Sequence, residues 1–387
     1  MEILSRYDFE QDLKLRPDEP YLVNYGTSCP PLLCRCSDAD EFEIMHYICA
    51  SWEKVQSYPL YSQNQWALDY TDKHGLALIR RMYDKNAYNY LVVEHLYLDC
   101  NWVEKRHIPT SYFLFCEYID NDKYLCLERE RGNLVCRGFD GATYWKTNEM
   151  FQLSRAHKFN VLTNDTVKPG EIYIIDADMC RMYLYTVDGF RIGTYRIPIG
   201  LNICNPYQPE IIKTSHNNYY IEGFIDGLEH YGKVELGPDE PAIESYFHVG
   251  IEDGIVQTND CKKNENNFLL TSIGLNNNKT GNSLHLVSKQ GSKYVAKCIH
   301  FIRKSDRHVG GGTTQWVDGT HFLYIESSGF VKYCDTSGKS YGCIRMKGEF
   351  IRGDPVITGD LVYLLTRRES GNKDSLTYAY CVYVIRL

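Results

Sequence analysis

The sequence predicts an all-β chain built from a repeated four-stranded unit. Three observations carry that expectation. Aromatic residues are in excess, with 32 Tyr, 15 Phe and 5 Trp against 7 Met in 387 residues, and such side chains favour pleated strands over helices. From residue 65 onward, short apolar runs alternate with turn residues. The turns between the second and third strands of successive units fall near 84, 140, 188, 239, 290 and 336, a spacing of about 50 residues that marks a repeat architecture.

The N-terminal 60 residues fit the repeat least. PYLVNY (20–25) reads as a strand. Within 41–55, Phe42, Met45, Ile48, Cys49, Trp52 and Val55 recur at spacings of three and four, with Ser37 as a cap and Asp40 three residues on, which fits a short helix. A strand over 41–50 fits nearly as well. Strand triplets then follow. In 124–146, YLCLERE, LVCRGF and ATYWK are separated by Gly132-Asn133 and Asp140-Gly141. In 171–197, EIYIIDAD, RMYLYTV and FRIGTYRI hold a turn at Asp188-Gly189. The segments 268–301 and 321–346 repeat the scheme, and 66–98 and 218–249 are looser copies. A shorter apolar segment precedes the triplets, as in SYFLFCEY and TTQWV, and supplies a fourth strand. The last unit, from DPVITG to the C-terminus, has three strands. It lacks an outer strand, which PYLVNY would provide.

Four strands per unit at this period describe the blades of a β-propeller. The expectation is seven blades over 61–387, closed by an N-terminal strand, with 1–60 a strand plus a short helical or irregular elaboration. Six blades is the nearest alternative count; a β-sandwich or two small β domains is the competing architecture. One unit also carries a family pattern. In IYIIDADMCRMYLYTVDG (172–189), an apolar strand ends in Asp176, Arg181 follows five residues on, and Tyr185 and Gly189 come after. This resembles an NHL-type propeller repeat. The unit at 124–141 keeps only Glu128 and Gly141, and that at 321–338 only Glu326 and Gly338. The resemblance implies fold and leaves function open.

Composition narrows the function classes. Hydrophobic residues at 43% and charged residues at 24% support a packed core. The net charge of −8, from 42 basic and 50 acidic residues, leaves no basic footprint of the kind nucleic-acid binders show, so a nucleic-acid partner is not expected. No run reaches the roughly 18 apolar residues of a membrane helix. The start, MEILSRYDFE, lacks a basic region followed by an apolar stretch. The 15 cysteines are odd in number, and Cys126, Cys136, Cys298, Cys334, Cys343 and Cys381 sit in strand-like runs as small hydrophobes. A reducing, cytoplasmic setting is expected. Asn-x-Ser/Thr matches at Asn164 and Asn278 are too common by chance to oppose this.

Candidate chemistry is sparse, and no cofactor is expected. Cys29, Cys34 and Cys36, with His46 and Cys49 downstream, include zinc-ligand types, but the spacing is not that of paired zinc ligands; buried or reactive thiols are the simpler reading. RHVGGGTTQW (307–316) is the most distinctive loop. Its glycines permit left-handed geometry, and successive amides at Gly310, Gly311 and Gly312 could cradle an anion beside Arg307 and His308. Tight-turn sterics explain the glycines equally. In the blade scheme Arg106, His107, Arg352 and Asp354 share that rim of the central channel. Arg307, His308, Arg352 and Asp354 are thus the candidates for acid–base chemistry. Tyr88 and Tyr90, in YDKNAYNY (83–90), are candidate anchors for a protein partner. Three functions stand: a non-enzymatic interaction module or scaffold, a hydrolase or lyase at the channel rim, and a carbohydrate-binding propeller.

Overall fold

The computed structural model describes every residue except the segments 13–18, 25–28, 38–40, 60–63, 72–74, 84–89, 99–100, 109–112, 121–122, 129–132, 139–141, 149–158, 164–170, 177–180, 197–209, 214–218, 226–229, 237–241, 249–254, 265–266, 277–278, 292, 304–311, 327 and 370–376. Every regular element among the described residues is a strand.

The chain opens with β1 (Glu2–Asp12). Four-stranded sheets follow: β2 (Tyr21–Val23), β3 (Leu32–Cys36), β4 (Glu41–Ile48) and β5 (Ser51–Pro59); then β6 (Asn64–Thr71), β7 (Gly75–Tyr83), β8 (Tyr90–Leu98) and β9 (Asn101–Ile108); then β10 (Phe113–Asp120), β11 (Lys123–Glu128), β12 (Leu134–Gly138) and β13 (Thr143–Lys146); then β14 (Phe159–Thr163), β15 (Glu171–Asp176), β16 (Arg181–Thr186) and β17 (Arg191–Arg196). They continue with β18 (Glu210–Lys213), β19 (Tyr219–Ile225), β20 (His230–Leu236) and β21 (Ala242–His248); β22 (Ile255–Asn264), β23 (Asn267–Asn276), β24 (Lys279–Gln290) and β25 (Lys293–Arg303); and β26 (Gly312–Trp316), β27 (His321–Glu326), β28 (Phe330–Asp335) and β29 (Ser340–Arg345). The last sheet joins β30 (Phe350–Thr358), β31 (Leu361–Glu369) and β32 (Thr377–Arg386) to β1. In every sheet, neighbouring strands pair antiparallel; in seven of the eight the chain meanders from the first strand to the last, and in the eighth β1 pairs with β32 from the other end of the chain. This is the blade unit of a β-propeller, and the chain is an all-β protein of that type.

Two compact units hold these sheets. The first comprises Met1–Ser111 and Ser305–Leu387, the second Tyr112–Lys304. In the first unit, the leading strands lie side by side: β26 beside β30, β30 beside β2, and β2 beside β6.

The sequence spacing counts seven units, whereas the described residues form eight four-stranded sheets. The additional sheet is β2–β5. Residues 41–48 are the strand β4, not a helix. Phe42, Glu43, Ile44 and Met45 are all buried in succession, so both faces of β4 are covered, and the apolar residues meet a helical spacing by coincidence. The strand that completes the C-terminal sheet is also different from the one expected. β1 does so, with Glu2 opposite Arg386 and Asp12 opposite Thr377. PYLVNY instead contributes β2, which pairs with β3.

Burial on both faces explains the continuous apolar runs. Along β31 and β32, Tyr363, Leu365, Tyr380, Val382 and Val384 pack with Leu33, Met45, Trp52 and Phe9 toward the β2–β5 sheet. Val362, Leu364, Cys381, Tyr383 and Ile385 pack with Leu323, Ile325 and Val331 toward the β26–β29 sheet. Successive side chains therefore enter different cores. Tyrosines fill the wide inter-sheet space: Tyr185, Tyr324, Tyr363 and Tyr380 are among the largest fully buried side chains. One buried carboxylate is tied down at a strand entry. Glu349 accepts hydrogen bonds from Thr366 Oγ1 at 2.6 Å and Tyr383 hydroxyl at 2.9 Å, with the Arg6 guanidinium of β1 at 3.5 Å.

Candidate interaction surface

The β16–β17 hairpin of the second unit has a tight tip. Gly189 N donates to Thr186 O at 2.9 Å, and Thr186 N donates to Phe190 O at 2.9 Å. The backbone at Gly189 has φ +83°, in the left-handed region. A Cβ there would stand 2.5 Å from Trp145 Cδ2, so only glycine suits both the conformation and the close approach. Trp145 lies on β13, the last strand of the preceding sheet, and its Nε1 donates to Val187 O at 2.7 Å. Ring and hydrogen bond thus fasten this hairpin tip to β13.

Apolar side chains face solvent around that junction. Phe190 is 72% exposed, Tyr144 is 51% exposed and Ile192 is also exposed. Basic residues accompany them. Lys123 Nζ sits 4.8 Å over the Tyr144 ring, Lys146 ends β13, and Arg191 follows Phe190, its guanidinium 6.0 Å from the Tyr183 ring. Arg191 also donates to Thr194 Oγ1, which holds the guanidinium close to the strand. Asp188 is the carboxylate of the tip. In a chain of net charge −8, this is a locally cationic, aromatic-rich surface. Sequence reasoning placed these residues in strands and left their exposure unread. The available signal was an aromatic directly after the Asp188-Gly189 turn, where side chains meet water.

The NHL-like segment lies in the same sheet. Register sets Asp176 directly opposite Arg181, Tyr185 is buried, and Gly189 makes the turn just described. Arg181 in turn lies opposite Arg196 on β17.

Arg307, His308, Gly310, Gly311 and Tyr88 lie outside the described residues. Gly312 begins β26, Tyr90 begins β8, and Arg106 and His107 are on β9, the last strand of its sheet; of these four only the backbone is described. Arg352 is on β30, its Nε 3.7 Å from Glu19 Oε2. Asp354 is exposed two residues further along. Cys29 is exposed, whereas Cys34 and Cys36 are buried on β3. Burial pushes the Cys34 thiol well up from its ordinary value, which disfavours the thiolate that metals require. Among the described residues, no group of three His, Cys, Asp or Glu could hold a metal ion. The described cysteines are free thiols; Cys136, Cys334 and Cys381 are buried as expected, but Cys298 and Cys343 are exposed, because they sit on the outer strands β25 and β29.

An Asp–His pair occurs at the β26–β27 turn. Asp318 accepts from the backbone N–H of Thr320 at 2.6 Å and of His321 at 2.7 Å, and its Oδ2 lies 2.9 Å from His321 Nδ1. Tyr333 and Tyr341 flank the imidazole. The carboxylate here organises a turn.

No family model matches the chain, and no curated protein does. Among solved structures, the chain is similar to BamB from Moraxella catarrhalis, at 11% identity and TM-score 0.49, over 100% of this chain and 99% of that one. It is similar to apo AztD from Citrobacter koseri, at 11% identity and TM-score 0.43, over 87% and 90% of the two chains. It is also similar to Hsv2 from Kluyveromyces lactis, at 8% identity and TM-score 0.41, over 84% and 99%. The β-propeller character of the chain rests on its own series of four-stranded meanders.

Proposed function

We propose that this protein is a non-enzymatic interaction module of the cytoplasm, and that the surface around Phe190 takes a protein segment that is acidic and bears apolar side chains. The observations that carry this reading are the exposure of Phe190, Tyr144 and Ile192 and the fastening of the β16–β17 tip to β13 by Trp145 and Gly189. Aromatic anchors on a rigid support bind at low entropic cost. Lys123, Lys146 and Arg191, on the two elements that meet there, favour an acidic occupant. A long polyanion such as a nucleic acid would meet the repulsion of the net charge of −8.

The test is affinity measurement on the full chain with synthetic peptides rich in Glu and carrying Phe or Trp, with single-stranded DNA and a panel of oligosaccharides as separate arms. Phe190→Ser is expected to weaken peptide binding by about 2 kcal/mol, roughly 30-fold, as loss of a central anchor does. The thermal midpoint should stay unchanged, since Phe190 is in water already. Equal peptide affinity in wild type and variant would refute the reading. Selective binding of DNA or a sugar would replace it.

A further inference from the structure

We propose that Arg352 and Arg367 form a receptor for an oxyanion, a carboxylate or phosphate group, which Glu19 fills in this structure as an internal stand-in. Register places the two arginines together. Arg352 lies opposite Leu365, and Arg367 lies opposite Phe350, so the two are diagonal neighbours on one face of the β30–β31 pair. Glu19 approaches that face from the segment that leads into β2. Arg367 Nη1 donates to Glu19 Oε1, and Arg352 Nε stands 3.7 Å from Glu19 Oε2, beyond hydrogen-bond reach. The Arg367 guanidinium lies 4.3 Å over the Tyr378 ring, which fixes its plane.

The donors outnumber the acceptor. Each guanidinium offers five N–H donors in a fork suited to carboxylate or phosphate, and one carboxylate faces two of them. The Nε atoms of both Arg352 and Arg367 are closed off from solvent and lack a hydrogen-bond partner. A closed-off donor without an acceptor is costly, and an anion seated deeper than Glu19 would satisfy both. The site is reachable, since the Glu19 side chain is 38% exposed. Immediately after Arg352, β30 leaves its ladder: the register shifts between Arg352 and Val356, with Gly353 at φ +67°. Bulges of this kind re-aim side chains and gather near binding sites. Asp354 is exposed on the bulge, and Arg368 is exposed on the next strand. Taken as Arg352, Arg367 and Glu19, the cluster holds one positive charge in excess.

The test is calorimetric titration of the full chain at fixed ionic strength with inorganic phosphate and, separately, with acetate. Glu19→Gln is expected to bind one of these anions at least tenfold more tightly than wild type. Adding Arg367→Gln to that variant should abolish the gain. A larger gain for phosphate identifies a phosphate-bearing ligand, and a larger gain for acetate a carboxylate-bearing one. If Glu19→Gln folds with an unchanged thermal midpoint and binds neither anion more tightly, the proposal fails and Glu19 is a plain ion-pair partner. If Glu19→Gln does not fold, the wild-type midpoint in phosphate is compared with that in chloride at equal ionic strength. A rise that Arg367→Lys removes supports the receptor, and the absence of a rise overturns it. The Phe190 surface belongs to the other unit, so failure there leaves this test intact.

Discussion

Gly189→Ala should destabilise the second unit through two separable effects. A methyl group at this position would stand 2.5 Å from Trp145 Cδ2, 2.7 Å from Cγ and 2.9 Å from Cε3. Ordinary carbon contacts are roughly 3.5–4.0 Å, so the indole must retreat by about 1 Å. That retreat stretches the 2.7 Å hydrogen bond from Trp145 Nε1 to Val187 O, worth about 0.5–1.5 kcal/mol. The φ of +83° independently costs a residue with a Cβ about 1–2 kcal/mol. The sum is about 1.5–3.5 kcal/mol. Urea denaturation followed by circular dichroism measures it, and a double-mutant cycle with Trp145→Ala separates the parts. In the Trp145→Ala background only the backbone cost should remain, a coupling of about 1 kcal/mol. Equal costs for Gly189→Ala in both backgrounds would refute the contact between the hairpin tip and β13 as the cause.

Phe9→Ala tests β1 as an integral strand: Phe9 is buried and stacks 5.6 Å from Tyr380, so a loss of about 3 kcal/mol is expected in thermal or chemical unfolding, and a loss near zero would detach β1 from the core. Glu326 on β27 is buried, and burial pushes its carboxyl up, against hydrogen bonds from Ser328 and Tyr324 and the charge of Arg345. The folded state then holds the proton more tightly than the unfolded one, so stability falls as pH rises past about 4.3. Glu326→Gln should therefore gain midpoint relative to wild type at pH 7 but not at pH 4; an equal difference at both pH values contradicts this. Asp318 is the opposite case. Desolvation pushes it up, but hydrogen bonds from Thr320 and His321 outweigh that and hold it at about 2. Its stabilisation is present above the unfolded value of about 3.9 and lost as pH falls toward 2. The protection of the Thr320 and His321 amides, taken relative to the intrinsic exchange rate at each pH, should fall between pH 5 and pH 2, and Asp318→Asn should flatten that dependence; protection that stays constant in wild type would count against it.

The repeat was legible because turns are local. Asp188-Gly189 makes its hairpin with the residues beside it, and the same holds for the DTSG turn (335–338), where Gly338 takes a φ of +90°. Two elements escaped, each for its own reason. β4 is buried on both faces, so its apolar residues do not alternate, and spacing alone could not separate strand from helix. In β1, Phe9 is buried while Ile3 and Leu4 are exposed, because the strand lies at the outer margin of its sheet. Its hydrophobic pattern therefore points the wrong way along half its length. Its partner is β32, at the far end of the chain, and no local signal reports such a pairing.

The same distinction governs the sites. A sheet buried on both faces has no free interior position, so chemistry must sit where that burial ends: at turns, on outer strands, or on the leading strands. Arg352 was readable as a candidate because it stands on the leading strand β30. Its meaning was not, because the groups that define it come from elsewhere. Glu19 meets Arg367 across 348 positions of sequence, and Tyr378 lies under Arg367 only because β31 and β32 pair in this register. Phe190 shows the converse. Its turn was evident, but an apolar residue in a strand-rich stretch reads as core until the sheet order makes β17 the outer strand. The tyrosines divide by the same rule. Tyr185, Tyr324, Tyr363 and Tyr380 lie between sheets, where a partner could not reach them, and Tyr144 lies on an outer strand, where one could. An interaction module on this architecture is therefore tested at its outer strands and leading strands, and substitutions of the inter-sheet tyrosines should change stability without changing which partner is bound.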